Sequence, residues 1–185
     1  MQVSIRPTTA ADIPAITRIY ADAVQHGTAS FELEPPDEAE MLRRRGALVD
    51  GGFPYIVGER GGVILGYAYV GPFRPRPAYR YSVEDSVYVA PDAHGRGIGR
   101  TLLEALIVRC TEAGFRQMIA VIGDSTLQAA SIALHTAAGF RLIGTLDAVG
   151  YKHGRWLDSV YMQRPLGAGA ASLPEGMIPK RPART

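Results

Sequence analysis

The chain has 185 residues, 46% of them hydrophobic and 21% charged, with a formal net charge of +2, which is enough for one domain with one sizeable core and too little for two. No apolar run approaches the roughly 18 residues of a membrane span, the N-terminus lacks a basic segment followed by an apolar one, and no basic stripe is interleaved with aromatics. These absences exclude a membrane partner, argue for a cytoplasmic location and set nucleic acid aside. A single cysteine, Cys110, excludes an internal disulfide, and the four histidines, His26, His94, His135 and His153, show no pair at metal-ligand spacing, so no metal is expected.

The chain opens on a short strand, "VSIRP", followed by a helix: Thr9 and Asp12 form a capping box, and Ile13, Ile16, Ile19, Tyr20 and Val24 recur at helical spacing until Gly27. "TASFELEPP" connects to a second helix opened by Asp37 and Glu40, with Arg43, Arg44 and Arg45 on its polar face. From Tyr55 the pattern turns to strands, with "YIVGE" and "VILGYAYV" joined at "RGG" as a hairpin. A Pro- and Arg-rich loop, "GPFRPRPAYR", leads to a third strand of this group, "YSVEDSVYV". A glycine run and a helix ended by Gly114 come next, then the buried strand "RQMIAVI", a helix ended by Gly139, and the strands "RLIGTL" and "WLDSVYMQR". The order is βααβββαβαββ. Residues 1–166 are expected to form one domain, and 167–185, rich in Gly, Ala and Pro without apolar periodicity, a largely disordered tail or one draped on a neighbour.

The stretch "VYVAPDAHGRGIGRTLL" runs from strand through a glycine-rich turn to a helix N-terminus, an arrangement suited to anionic oxygen. It lacks the Lys-Ser/Thr pair of a P-loop. It also has Arg100 where the dinucleotide fingerprint needs a small residue. The spacing suits a diphosphate, with Gly95, Gly97 and Gly99 letting the backbone approach and Arg96 and Arg100 adding charge. A plain helix entrance that binds nothing would show the same glycines.

This stretch resembles the acetyl-CoA-binding motif of the GNAT N-acetyltransferases, Q/R-x-x-G-x-G/A, on the core His94-Gly95-Arg96-Gly97-Ile98-Gly99. The first place departs, since Asp92, Ala93 or His94 stands where Gln or Arg is common. The resemblance runs from Val3 to about Leu166 and implies an α/β (α+β) fold: a mixed, mostly antiparallel sheet, splayed after the fourth strand and flanked by helices. It implies acetyl-CoA as co-substrate, with backbone groups of Val87, Tyr88 and Val89 facing the pantetheine arm and Gln128 and Ser131 near it. "IRPTTAADIPAITRIYADAV", "GYAYVGPFRPRPAYRYSVEDSVYV", "ALHTAAGF" and "GYKHGRWLDSVYMQ" resemble a narrower branch, the phosphinothricin and methionine sulfoximine N-acetyltransferases.

Strand alternation puts Glu84, Ser86 and Tyr88 on the face opposite Val83, Val87 and Val89. With the resemblance, this makes Glu84 the candidate general base for an amine, acting directly or through a water. His135 stands where the branch carries a histidine and many GNAT enzymes a tyrosine, which implies a proton donor to the coenzyme sulfur. The branch also implies acceptor contacts from Arg74 and Arg80, walls from Phe31, Phe73 and Tyr79, and a homodimer in which Lys152 and Trp156 help complete the pocket. The implied activity is direct acetyl transfer, in a ternary complex, to the amine of a small amino-acid analogue. The alternatives are a GNAT enzyme acting on another amine, such as a protein N-terminus, and a non-catalytic acetyl-CoA sensor.

Overall fold

The computed structural model describes residues 3–174. Its elements are β1 (Ser4–Pro7), α1 (Ile13–His26), α2 (Glu38–Asp50), β2 (Tyr55–Arg60), β3 (Val63–Pro72), β4 (Ser82–Val89), α3 (Ile98–Glu112), β5 (Gln117–Gly123), α4 (Ala129–Ala137), β6 (Arg141–Lys152) and β7 (Arg155–Pro165). This is the order read from the sequence. The strands form one mixed sheet in the order β1-β2-β3-β4-β5-β7-β6. Every neighbouring pair is antiparallel except β4 and β5. No helix among the described residues is long and apolar enough to cross a membrane.

Helices cover both faces. On one, Tyr67, Tyr69, Tyr55 and Tyr88 form a continuous aromatic wall, with Tyr67 and Tyr88 centroids 5.2 Å apart and Tyr20 of α1 meeting Tyr88 edge-on at 5.1 Å. On the other, Leu102, Leu103 and Leu106 of α3 are fully buried. Leu102 packs against the backbone of Gly66, where an added Cβ would lie 2.7 Å from the Tyr88 carbonyl oxygen. That distance keeps β3 bare at this point.

Pairing of β4 with β5 begins at Ser82 opposite Gln117 and stops at Asp85 opposite Ala120. Beyond that point β4 still pairs with β3 as far as Val89, and β5 with β7 as far as Gly123. The two strands therefore part while each stays anchored on its outer side, which is the splay expected after the fourth strand. The segment between α1 and α2 bridges the opening. Its Ser30 carbonyl accepts from Lys152 Nζ at 2.7 Å and its Gly27 carbonyl from His153 Nε2 at 3.2 Å.

Residues 167–174 turn back on the domain, where Arg116 donates to Ser172 Oγ and to the Leu173 carbonyl. The rest of the expected tail, 175–185, lies outside the described residues.

The entrance to α1 rests on Asp12, which accepts from Arg6 at 2.8 Å through each of its two carboxylate oxygens and from the Thr9 N–H at 2.7 Å. The Arg6 hydrogen bond, against a desolvation penalty, lowers the Asp12 carboxyl to about 2. This contribution is present above the ordinary value of 3.8 and is lost as pH falls through about 2. Asp12→Ala is expected to lower the urea unfolding free energy by about 1–2 kcal/mol at neutral pH, and the wild-type advantage to vanish in acid.

Candidate active site

The glycine run begins with a single 3-10 turn, Pro91–Ala93, and His94 Nε2 then donates to the Val89 carbonyl at 3.0 Å. Gly95 and Gly97 have φ of 72° and 77°, the left-handed region that side chains resist, yet nothing lies within 4 Å of a Cβ at either. The glycines are needed for conformation, and the space they leave open exposes the backbone. Gly99 differs, because its φ is not positive and a Cβ there would make ordinary contacts of 3.5 Å with Leu134 and 3.6 Å with Val89. Ile98 is 1% exposed and anchors the helix, so only its backbone can meet a ligand. The first-turn N–H groups of α3 lack intrahelical acceptors, and Arg96 and Arg100 are exposed beside them. Arg100 donates to Glu104 at 2.8 Å.

Where β4 and β5 part lies a slot of about 60 Å³, lined among others by Ser86, Val87, Tyr88, Gly123, Gln128 and Ser131. Its β4 lip is open backbone, since residues 86–89 pair with β3 but not with β5. Gln128 approaches Thr28 Oγ1 at 3.5 Å across the opening.

Glu84 and His135 stand on opposite faces of the sheet. Glu84 shares its face with Ser86 and the tyrosine wall and is half-buried. Burial and the adjacent Asp85 charge push its carboxyl above the ordinary range, against the pull of Arg74. His135 is buried, with its ring edge-on to Phe140 at 5.0 Å. Its Nδ1 lies 2.7 Å from the Ser131 carbonyl and its Nε2 3.0 Å from Asp85 Oδ2. Both neighbours are acceptors, so both ring nitrogens carry hydrogen and the ring is a cation paired with Asp85. Burial opposes the charged ring, but the hydrogen bond and charge of Asp85 outweigh it and raise His135.

Sequence reasoning passed over Asp85. The signal lay in the alternation itself, which places a carboxylate in line with Val83, Val87 and Val89; a charge at a core position requires a partner.

The acceptor residues expected from the resemblance fall into separate groups. Phe73 and Tyr79 meet edge-on at 5.8 Å, with the Arg74 guanidinium over Phe73 at 4.9 Å, and the Arg74 charge reaches Glu84. Arg80 instead lies over Tyr81 at 4.7 Å and lines a separate hollow with Thr111, Phe115, Arg116 and Leu166. The Phe31 ring occupies the space over two glycines, where a Cβ at Gly123 would come to 2.3 Å of it and one at Gly150 to 2.2 Å. Lys152 is 4% exposed and is held by Ser30; burial lowers its ammonium, partly offset by Glu32. Trp156, by contrast, is 64% exposed and stacks edge-on with Tyr151.

Residues 15–140 match the acetyltransferase (GNAT) family. The chain belongs to that family. It is 57% identical over 164 residues to the phosphinothricin N-acetyltransferase of Alcaligenes faecalis, covering 89% of this chain and 83% of that one. It is 43% identical to the L-methionine sulfoximine/L-methionine sulfone acetyltransferase of Pseudomonas paraeruginosa, over 88% of this chain and 94% of that one. The crystal structure of a GNAT superfamily phosphinothricin acetyltransferase from Sinorhizobium meliloti, in complex with AcCoA, is similar with a TM-score of 0.92 and 50% identity over all of both chains.

Because His135 is raised in the folded protein, the stability it contributes is fully present below its ordinary value of 6.5 and is lost as pH rises through the raised value. Melting temperature measured on the alkaline side of 6.5 is expected to fall in the wild type and to lose that slope in Asp85→Asn.

Proposed function

We propose that this GNAT enzyme transfers acetyl from acetyl-CoA to the amine of a small amino-acid-like acceptor of the phosphinothricin, methionine sulfoximine or methionine sulfone type, by direct attack in a ternary complex. The observation that carries this reading is Glu84. It is a half-buried carboxyl of raised proton affinity on β4, beside the opening between β4 and β5, with the Arg74 cation close enough to act on it. A base of raised pKa suits an amine, and a guanidinium suits the carboxylate of an amino acid. A polyamine would call for the opposite charge.

The residues present fit acetyl-CoA. Two left-handed glycines and the uncovered first turn of α3 suit a diphosphate, and the unpaired edge of β4 suits an amide-bearing arm. When bound, acetyl-CoA supplies a thioester carbonyl: the acceptor nitrogen forms the new C–N bond, the C–S bond breaks with its electron pair on sulfur, and one proton leaves nitrogen while one arrives at sulfur. Glu84 takes the proton from nitrogen. Arg74 orients the acceptor, while Phe73 and Tyr79 wall it off from water.

A homodimer through β6 accompanies this reading. That strand is an edge of the sheet and exposes Leu142, Ile143, Leu146, Val149 and Tyr151, with Trp156 beside them, a long apolar edge of the kind natural proteins cover.

Free thiol release should appear with phosphinothricin, methionine sulfoximine or methionine sulfone as acceptor; silence with all three overturns the substrate class. Glu84→Gln should lower kcat about 10²-fold with acetyl-CoA binding intact. Calorimetry of acetyl-CoA should separate the glycines: Gly97→Ala weakens binding several-fold by straining a positive φ, whereas Gly99→Ala leaves it near wild type.

A further inference from the structure

Between α1, α2 and the tyrosine wall lies a cavity of about 280 Å³ that shares no lining residue with the slot. Tyr20, Tyr55, Tyr67 and Tyr69 line it, and Arg43 and Arg44 stand among the lining groups without a carboxylate. A concave, largely aromatic surface with a few polar groups is the kind that holds a small molecule.

Two polar features narrow the chemistry of an occupant. Tyr67 is 0% exposed, and its hydroxyl is buried with no hydrogen-bond partner among the described residues. Burial and the neighbouring phenols push it well above the ordinary phenol value, so the hydroxyl keeps its hydrogen and lacks an acceptor. The Tyr20 hydroxyl, by contrast, is spent on Ser30 Oγ and Glu32, each at 2.9 Å. The second feature is charge. Glu40 accepts from Arg43 and Arg44, Glu32 accepts from Arg44, and Arg45 turns to Thr8, so three consecutive cations of α2 meet two carboxylates. Arg43 gives Glu40 only Nε and Nη2, which leaves Nη1 to donate. The Arg44 charge bears on Tyr55 and Tyr69, which places the cationic end beside those rings, whereas Tyr67 lies against Tyr88.

We infer that this cavity is a second ligand site, for a small aryl carboxylate that carries an oxygen on the far side of its ring. The carboxylate meets Arg43 and Arg44, the ring lies among the tyrosines, and the far oxygen accepts from Tyr67. A cationic guest would face the arginines, and a wholly apolar one would leave the Tyr67 hydroxyl unmet. Tyr20 gives the site a bearing on the slot. Its ring meets Tyr88 of β4 edge-on, and its hydroxyl holds the segment that bridges the opening.

Carbon-13 methyl NMR of methionine-labelled protein tests the site, with Met41 as reporter because it is 4% exposed and lines the cavity. Titration with 4-hydroxyphenylacetate should shift the Met41 methyl saturably. The uncharged 4-hydroxyphenylacetamide should bind about tenfold more weakly or worse, and phenylacetate, which lacks the far oxygen, several-fold more weakly. In Tyr67→Phe the preference for the hydroxylated acid over phenylacetate should vanish. Ala47→Phe, which sets a ring at an exposed position of the lining on α2, should abolish the shift while acetyl-CoA binding stays at wild type. No saturable shift with 4-hydroxyphenylacetate, an amide that binds as well as the acid, a preference that persists in Tyr67→Phe, or binding that survives Ala47→Phe overturns the site. These outcomes are read without turnover, so they stand apart from the acetyl-transfer reading.

Discussion

Between Asp85 and Ala120 the parallel strands β4 and β5 make their last backbone pair, and the site depends on their staying apart beyond it. Unpaired strand edges inside a protein are unstable arrangements, since each bare N–H and C=O seeks a partner. Here closure is opposed from outside the opening. β3 and β7 hold the outer edges of the two strands, and the segment joining α1 to α2 is fastened across the gap. Lys152 and His153 hold its carbonyls, and the Phe31 ring fills the space left by Gly123 and Gly150. The buried Lys152 thus has a mechanical role in a single chain, before any partner is considered.

The parting also gives the two carboxylates of one short strand different surroundings. Residues 84 and 85 are adjacent, but the pleat sends their carboxylates to opposite faces. One emerges beside the tyrosine wall and Arg74, the other beneath α4, where it meets His135. A buried charge left alone would be expensive, and the hydrogen bond and charge of His135 offset part of that penalty.

Much of the fold was legible in the sequence because it is written locally. The Thr9 and Asp12 cap, the helical recurrence from Ile13 to Val24, the Asp37 cap and the hairpin around Gly61 and Gly62 each depend on neighbours a few residues away. The left-handed turn of the glycine run was legible for the same reason, apart from Gly99, whose ordinary backbone a spacing rule cannot distinguish from that of Gly95 and Gly97. What escaped the sequence reading depends on distant contacts. Asp85 gains meaning from a residue 50 positions away. The glycines at 123 and 150 matter because Phe31 comes to rest on them. The resemblance implies acceptor contacts from both Arg74 and Arg80, but the short turn Pro77–Tyr79 separates them and sends Arg80 toward the far end of α3, a turn that no motif match conveys.

The adjacency of Glu84 and Asp85 has an electrostatic consequence that a list of site residues would miss. Asp85 raises Glu84, and Asp85 is itself compensated by charged His135. While His135 keeps its proton, the field that Glu84 feels from Asp85 is partly cancelled, so two groups on opposite faces of the sheet, with no direct contact, each answer to the charge of the residue between them.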